Sequence, residues 1–102
     1  MKKSASEPKV IEYVTFLAKD SVSDDNLLKS AKQTDSVLEE IPGFINHYLA
    51  KQDNGTWVEV VFWESKAFAT DGLEVFLKHP LSEIFLNNIK EGSVKIEYSN
   101  VK

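Results

Sequence analysis

Residues 42–65 read PGFINHYLAKQDNGTWVEVVFWES, and this stretch decides the fold. Two runs rich in β-branched and aromatic residues flank the tripeptide Asp53-Asn54-Gly55. Such residues favour strands, and an Asn-Gly pair between two apolar runs is a strong signal for a hairpin. The stretch therefore predicts two antiparallel strands, at 44–52 and 56–64, joined by a tight turn.

The register of this hairpin determines which side chains share a face of the sheet. A two-residue turn at Asn54-Gly55 would place Asp53 opposite Thr56, whereas a three-residue loop would place Gln52 opposite Thr56. We favour the longer loop, because it leaves one face almost wholly apolar and register follows such patterning where a face is buried. In that register the apolar face carries Phe44, Asn46, Tyr48, Ala50, Val58, Val60 and Phe62, and the other face carries Ile45, His47, Leu49, Trp57, Glu59, Val61 and Trp63.

The rest of the chain supplies two further strands and two helical regions. Strands are predicted at 9–18 and 93–99. One helix begins at the N-cap Ser23 and ends at Pro42-Gly43; the other begins at Ser65 and continues, after a break at His79-Pro80, as a short segment at 81–89. A glycine inside the second helix, Gly72, indicates close packing there. The order strand, helix, strand, strand, helix, strand predicts the α+β class with a ferredoxin-like β-α-β-β-α-β arrangement: a four-stranded antiparallel sheet with both helices on one face.

Composition restricts the function classes. The 102 residues suffice for one domain, predicted at 9–102 after a flexible tail at 1–8. Cysteine is absent, and the net charge is −4 with every basic residue a lysine, so thiol chemistry is excluded and nucleic acid is not an expected partner. Two histidines make a dedicated metal site improbable. There is no apolar run of membrane-spanning length and no signal-peptide core, so we expect a cytoplasmic protein without a membrane partner.

Burial of the sheet predicts an oligomer. Two helices cover one face of a four-stranded sheet, yet the first and third strands carry large apolar side chains on both faces. The same face of a second copy is the simplest cover for the open side, so we predict a homodimer with Trp57 or Phe62 as interface anchors.

His47 and Glu59 are the first candidates for chemistry. An imidazole beside a carboxylate in an aromatic pocket can act as a general base. The same pair can equally be a hydrogen-bonded structural element that satisfies its own polar groups.

The two tryptophans and the second histidine each allow a functional and a structural interpretation. Trp57 and Trp63 lie on one face of the third strand, where indoles can stack on a flat aromatic ligand or can fill the core or the dimer interface. His79 precedes Pro80 at a helix end, where interaction with the C-terminal dipole explains it sufficiently. A haem-ligand role for His79 would need an adjoining pocket.

Several motifs together resemble a known superfamily. They are Pro42-Gly43-Phe44, the run from Asp53 to Ser65, the residues Ala69, Phe76 and Pro80, and the run Gly92-Ser93-Val94-Lys95-Ile96. Over roughly residues 9–100 the chain is similar to the dimeric α+β barrel superfamily, and within it to the short, single-domain proteins like the antibiotic-biosynthesis monooxygenases. The resemblance implies a dimer formed through the sheets and a cavity between sheet and helices. Some relatives are cofactor-free oxygenases in which the deprotonated aromatic substrate itself gives an electron to oxygen, others bind and degrade haem, and others have no recognised chemistry.

The resemblance carries over residue by residue. Trp63 matches the tryptophan of the helix-entry motif, and Tyr98 stands where a histidine of the last strand is common. His47 and Glu59 replace an arginine–aspartate pair, so the permanent cation that would hold an oxyanion becomes one that exists only when protonated. Relatives that degrade haem use an asparagine, which the first strand lacks, and a tryptophan that is missing from the middle of the second helix.

Two hypotheses of different class follow. In the first, the protein is a cofactor-free monooxygenase or related enzyme for an aromatic small molecule, with no cofactor and no metal. Its catalytic residues would be His47 and Glu59, and its substrate-binding residues Trp57, Trp63, Tyr48 and Tyr98. In the second, the protein is a non-catalytic dimeric module that binds a small ligand or acts as an adaptor.

Overall fold

The computed structural model describes residues 7–102, and it contains one four-stranded antiparallel sheet. The strands are β1 (Val10–Phe16), β2 (Phe44–Lys51), β3 (Trp57–Trp63) and β4 (Lys95–Asn100). Their order across the sheet is β2-β3-β1-β4, which is the ferredoxin-like order and confirms the predicted fold class. Residues 1–6 of the predicted tail lie outside the described residues.

The first helical region is two helices rather than the single predicted one. Helix α1 (Asp24–Gln33) begins where the Ser23 hydroxyl accepts a hydrogen bond from the Asn26 amide, and α2 (Asp35–Glu40) follows directly. Between them, the Thr34 hydroxyl donates to the Ala31 carbonyl oxygen at 2.6 Å. A hydroxyl that bonds back to the preceding turn competes with the helical hydrogen bonds, which explains the interruption.

The second helical region has the predicted break. Helix α3 (Lys66–Lys78) begins at Ser65, whose hydroxyl accepts from the Phe68 amide. After His79 the chain forms a 3-10 turn (Pro80–Ser82) and then helix α4 (Glu83–Asn87). Of the helices in residues 7–102, none has the length and hydrophobicity that a membrane crossing requires.

The hairpin adopts the favoured three-residue loop. The Gln52 amide donates to the Thr56 carbonyl oxygen at 2.7 Å, and Gly55 has φ +94°, in the left-handed region that favours glycine. One assignment was wrong: a register shift between Phe44 and Asn46 pairs Phe44 with Trp63 and turns Phe44 onto the helix-covered face. A bulge inserts one residue into one strand, so the alternation predicted beyond it is inverted.

The helices cover only one face of the sheet. Two groups of buried apolar side chains form the core there, one around Phe44 and Trp63 and one around Phe16 and Trp57. The opposite face, which we call the open face, has no helix from residues 7–102 over it and carries Ile11, Tyr13, Thr15, Tyr48, Val58, Val60 and Phe62. This places Trp57 in the core, so its predicted use as an interface anchor is wrong, whereas Phe62 lies on the open face.

Candidate functional site

A cavity of about 350 Å³ lies between the sheet and the helices. Side chains of Leu, Val, Ile and Phe form most of its wall, from β1, β3 and β4 below and from α1, α3 and α4 above. Three ionisable side chains of the sheet interrupt this apolar lining: Glu12, His47 and Glu59. An apolar pocket with a few convergent polar groups is the usual form of a small-molecule site.

His47 is held between two carboxylates. Its Nδ1 lies 2.7 Å from Oε2 of Glu59, and its Nε2 lies 3.2 Å from Oδ1 of Asp35, the first residue of α2. The strand register explains the first contact: His47 faces Val61 and Leu49 faces Glu59, so the two side chains are diagonal neighbours on one face. The side chains of His47 and Glu59 are 23% and 18% exposed, so neither is fully shielded from a ligand or from water.

The two carboxylates strengthen the imidazole as a base. The hydrogen bond that His47 donates to the Glu59 carboxylate raises the pKa of His47 above its ordinary value of 6.5, the charges of Glu59 and Asp35 add to the effect, and burial opposes it. Burial raises the pKa of Glu59 itself, although the contact with His47 works against that rise. The pair therefore binds a proton more readily than an isolated histidine, and a proton taken from a ligand would be stabilised here.

A third carboxyl group, that of Glu12, lines the cavity and was not predicted. It is only 4% exposed, on the inner face of β1, and its Oε1 accepts a hydrogen bond of 2.8 Å from Nε1 of Trp63. Burial raises its pKa, and the Glu59 charge adds a smaller increase. The sequence contains one signal for Glu12: it is the single acid within the run VIEYVTF, at an alternating position of β1 whose side chains face the helices. Asp35 was also missed, because its position on a polar helix resembles ordinary surface.

The predicted site residues do not all meet at the cavity. His47, Glu59 and Trp63 line it together. Trp57 instead packs on Phe16, with their ring centroids 6.5 Å apart, inside the core.

The two tyrosines also lie away from the wall of the cavity. Tyr48 is 63% exposed on the open face, where its ring meets the edge of Phe62. Tyr98 packs beside the first core group, and the Lys66 ammonium lies 4.6 Å from its ring centroid. Neither tyrosine therefore lines the cavity, because strand alternation or strand position directs both elsewhere.

His79 lies at the helix end, as predicted. It follows α3, and its Nδ1 accepts a hydrogen bond of 3.1 Å from the Leu81 amide, which caps the 3-10 turn. It is not among the residues that line the cavity. Within residues 7–102, no group of three or more histidine, cysteine or acidic side chains is arranged to hold a metal ion.

Comparisons with known proteins extend the fold assignment. No family model and no curated protein sequence matches the chain. Among solved structures, a Bordetella bronchiseptica protein provisionally named an antibiotic biosynthesis monooxygenase is similar, with a TM-score of 0.79 and 11% identity over 94% of this chain and 99% of that one. SnoaB, a cofactor-independent oxygenase from Streptomyces nogalater, has a TM-score of 0.71 and 12% identity over 94% of this chain and 95% of that one.

A third similar structure is described as dimeric. It is a ferredoxin-like protein from an uncultured marine organism, with a TM-score of 0.63 and 18% identity over 94% of this chain and 90% of that one. The first two likenesses confirm, in fold, the resemblance to the antibiotic-biosynthesis-monooxygenase-like structures, and the third agrees with the ferredoxin-like fold. At such low identity they transfer no activity.

Proposed function

We propose that this protein is a cofactor-independent oxygenase that acts on an aromatic small molecule with an ionisable hydroxyl group. The observation that carries the proposal is the His47–Glu59 pair, 2.7 Å apart, in the wall of an otherwise apolar cavity. A volume of about 350 Å³ falls within the range of small-molecule pockets, about 300–1,000 Å³. The fold shared with SnoaB supports the same reaction class.

In the proposed reaction, neutral His47 accepts the proton of the ligand hydroxyl. Glu59 and Asp35 stabilise the resulting imidazolium, and the imidazolium stabilises the aromatic oxyanion. The apolar wall keeps water away and strengthens these interactions. His47 thus serves as the base and, once protonated, as the anion stabiliser.

Oxygen is the second substrate. The electron-rich anion transfers one electron to O₂, and recombination of the two radicals forms a carbon–oxygen bond. When the reacting carbon carries two hydrogens, cleavage of the O–O bond leaves a ketone. The other oxygen departs as water with the proton that His47 held and the remaining hydrogen of that carbon. The four-electron oxidation of CH₂ to C=O therefore balances the full reduction of one O₂.

Anthrone offers a direct test, since it ionises to a phenolate and has such a CH₂ group. We expect the wild type to convert anthrone to anthraquinone with equimolar oxygen uptake and one ¹⁸O atom from labelled O₂. His47→Gln should lower kcat/KM by about 10²-fold, the usual contribution of a general base. His79→Gln replaces the other histidine, away from the cavity, and should leave kcat/KM unchanged.

Two outcomes would remove the proposal. Equal turnover by the wild type and His47→Gln would show that the imidazole is not the base. Saturable binding of aromatic ligands without any oxygen uptake would favour the non-catalytic ligand-binding module instead.

We further propose that the functional unit is a homodimer joined through the open face. This face places Phe62, Val60 and Tyr13 side by side without a helix above them, and Tyr13 is 38% exposed. A contiguous apolar sheet face of this kind is typical of an interaction surface. A similar solved structure is described as dimeric, which supports a second copy as the cover.

A further inference from the structure

Glu12 is the buried ionisable group that the proposed reaction does not use. Its carboxyl lines the cavity at 4% exposure, and Oε1 accepts the hydrogen bond from the Trp63 indole. Within residues 7–102, the structure shows no hydrogen-bond donor or acceptor for the other oxygen, Oε2. Oε2 is not among the fully buried unpartnered side-chain atoms of these residues, so this oxygen in the cavity wall remains accessible to a ligand.

The position of Glu12 relative to His47 sets the geometry of that ligand. His47 faces Val61 across β2 and β3, and Val61 faces Glu12 across β3 and β1, so all three lie in one row on the inner face. Two strand spacings separate the backbones of His47 and Glu12, which is about 10 Å. The two polar groups therefore stand at opposite ends of an apolar floor made by Val61.

The protonation of Glu12 favours a hydrogen-bond acceptor on the ligand. Burial raises the pKa of Glu12, the Trp63 hydrogen bond works against that rise, and the charge of nearby Glu59 adds a smaller increase, so this carboxyl group keeps its proton to a higher pH than a free one. Because Oε1 receives the Trp63 hydrogen bond, the acid can carry its hydrogen on Oε2 and donate it.

We propose that Glu12 is a specificity-determining residue, whose carboxyl group donates a hydrogen bond to a carbonyl oxygen at the far end of an aromatic ligand that meets His47 with its hydroxyl group. This inference rests on the proposed function for the placement of the hydroxyl. It adds that the ligand has two oxygen groups at opposite ends of a fused ring system.

Two matched probes test the inference: 2-naphthol, with a hydroxyl alone, and 6-hydroxy-2-naphthaldehyde, with a carbonyl at the opposite end. Their dissociation constants are measured by titration calorimetry for the wild type, Glu12→Met and Glu12→Gln. Met matches Glu in length without hydrogen-bonding, whereas Gln can accept from Trp63 and donate to the ligand. Comparing the ratio of the two constants among variants cancels the different acidities of the probes.

We expect the preference for the aldehyde to fall about fivefold in Glu12→Met, the usual net value of one hydrogen bond, and to persist in Glu12→Gln. A ratio of dissociation constants that Glu12→Met leaves unchanged, including the case in which both probes bind equally more weakly, would overturn the inference. Loss of the preference for the aldehyde in Glu12→Gln would overturn it as well. The equal weakening would show that Glu12 only orients Trp63.

The same measurements separate this inference from the proposed reaction. A Glu12-dependent ratio without oxidation of anthrone would support the inference while the oxygenase proposal fails. Oxidation of anthrone that needs His47, with a ratio independent of Glu12, would overturn the inference alone. Failure of the wild type both to oxidise anthrone and to bind either probe would overturn both.

Discussion

Gly72 allows the Trp63 indole to pack against α3, and the substitution Gly72→Ala tests how tightly the cavity wall is built. A Cβ atom at this position would lie 2.5 Å from Cη2 of Trp63 and 2.9 Å from Cγ2 of Ile41. Both distances are too short for carbon–carbon contacts, so the indole or the helix must move. The close packing that an internal helical glycine predicts is therefore present.

Two opposing effects determine the size of the change. Replacing glycine by alanine inside a helix stabilises it by about 1 kcal/mol. Overpacking of a filled core costs about 1–3 kcal/mol, and two contacts this short place Gly72→Ala in the upper part of that range. The net loss in the free energy of unfolding is then about 1–2 kcal/mol. For a domain of this size, each kcal/mol lowers Tm by about 4–8 °C.

Urea and thermal unfolding of Gly72→Ala measure this loss, with Glu74→Ala, an exposed position on α3, as the control that should change little. Because the indole is the group displaced, Trp63→Phe in the same chain should recover part of the loss in a double-mutant cycle. A variant more stable than the wild type by about 1 kcal/mol would refute the reasoning, because helix propensity alone would then account for it. If the losses of unfolding free energy in the two single variants add in the double variant, the new methyl group does not clash with the indole.

Three more predictions concern titration and assembly. First, the proposed reaction needs neutral His47, whose pKa is raised, so kcat/KM should increase with pH through a value above 6.5. Glu59→Gln removes the main cause of the raised pKa and should move this increase in kcat/KM to lower pH. A pH–rate profile unchanged by Glu59→Gln would contradict it. Second, the raised pKa of Glu12 means that the folded state keeps this proton longer than the unfolded state. The contribution of protonated Glu12 to the free energy of unfolding is fully present below pH 4.5, and it is lost as the pH rises through the pKa that Glu12 has in the folded state. The side chain introduced by Glu12→Gln cannot titrate. In urea unfolding, the free energy of unfolding of this variant should therefore rise relative to that of the wild type between pH 4 and pH 7. A difference that stays constant over this range would refute the raised pKa of Glu12. Third, Phe62→Lys should convert the proposed dimer into monomers in sedimentation velocity, whereas Asp71→Lys on α3 should not. A wild type that sediments as a compact monomer at micromolar concentration would exclude the dimer.

The candidate site was only partly predictable. His47 and Glu59 were found because they are polar residues at inward positions of strands whose register the turn specifies. Tyr48 was predicted to bind the ligand, and the structure places it on the open face, away from the cavity. Trp57 was wrong as an interface anchor because the helices cover its face. Strand alternation in β1 also predicts that Glu12 points inward. Nothing in the neighbouring sequence indicated its hydrogen bond with the indole of Trp63, which is 51 residues away.

Local sequence patterns thus determined the strands, the helix starts at Ser23 and Ser65, and the loop that sets the hairpin register. These features depend on residues close together in the chain, whose alternation and capping act over a few positions. Tertiary structure alone decided the bulge after Phe44, the cavity and the contact between Glu12 and Trp63. Each of these arises where separate elements compete for the same space, and that competition is settled only when the helices pack on the sheet.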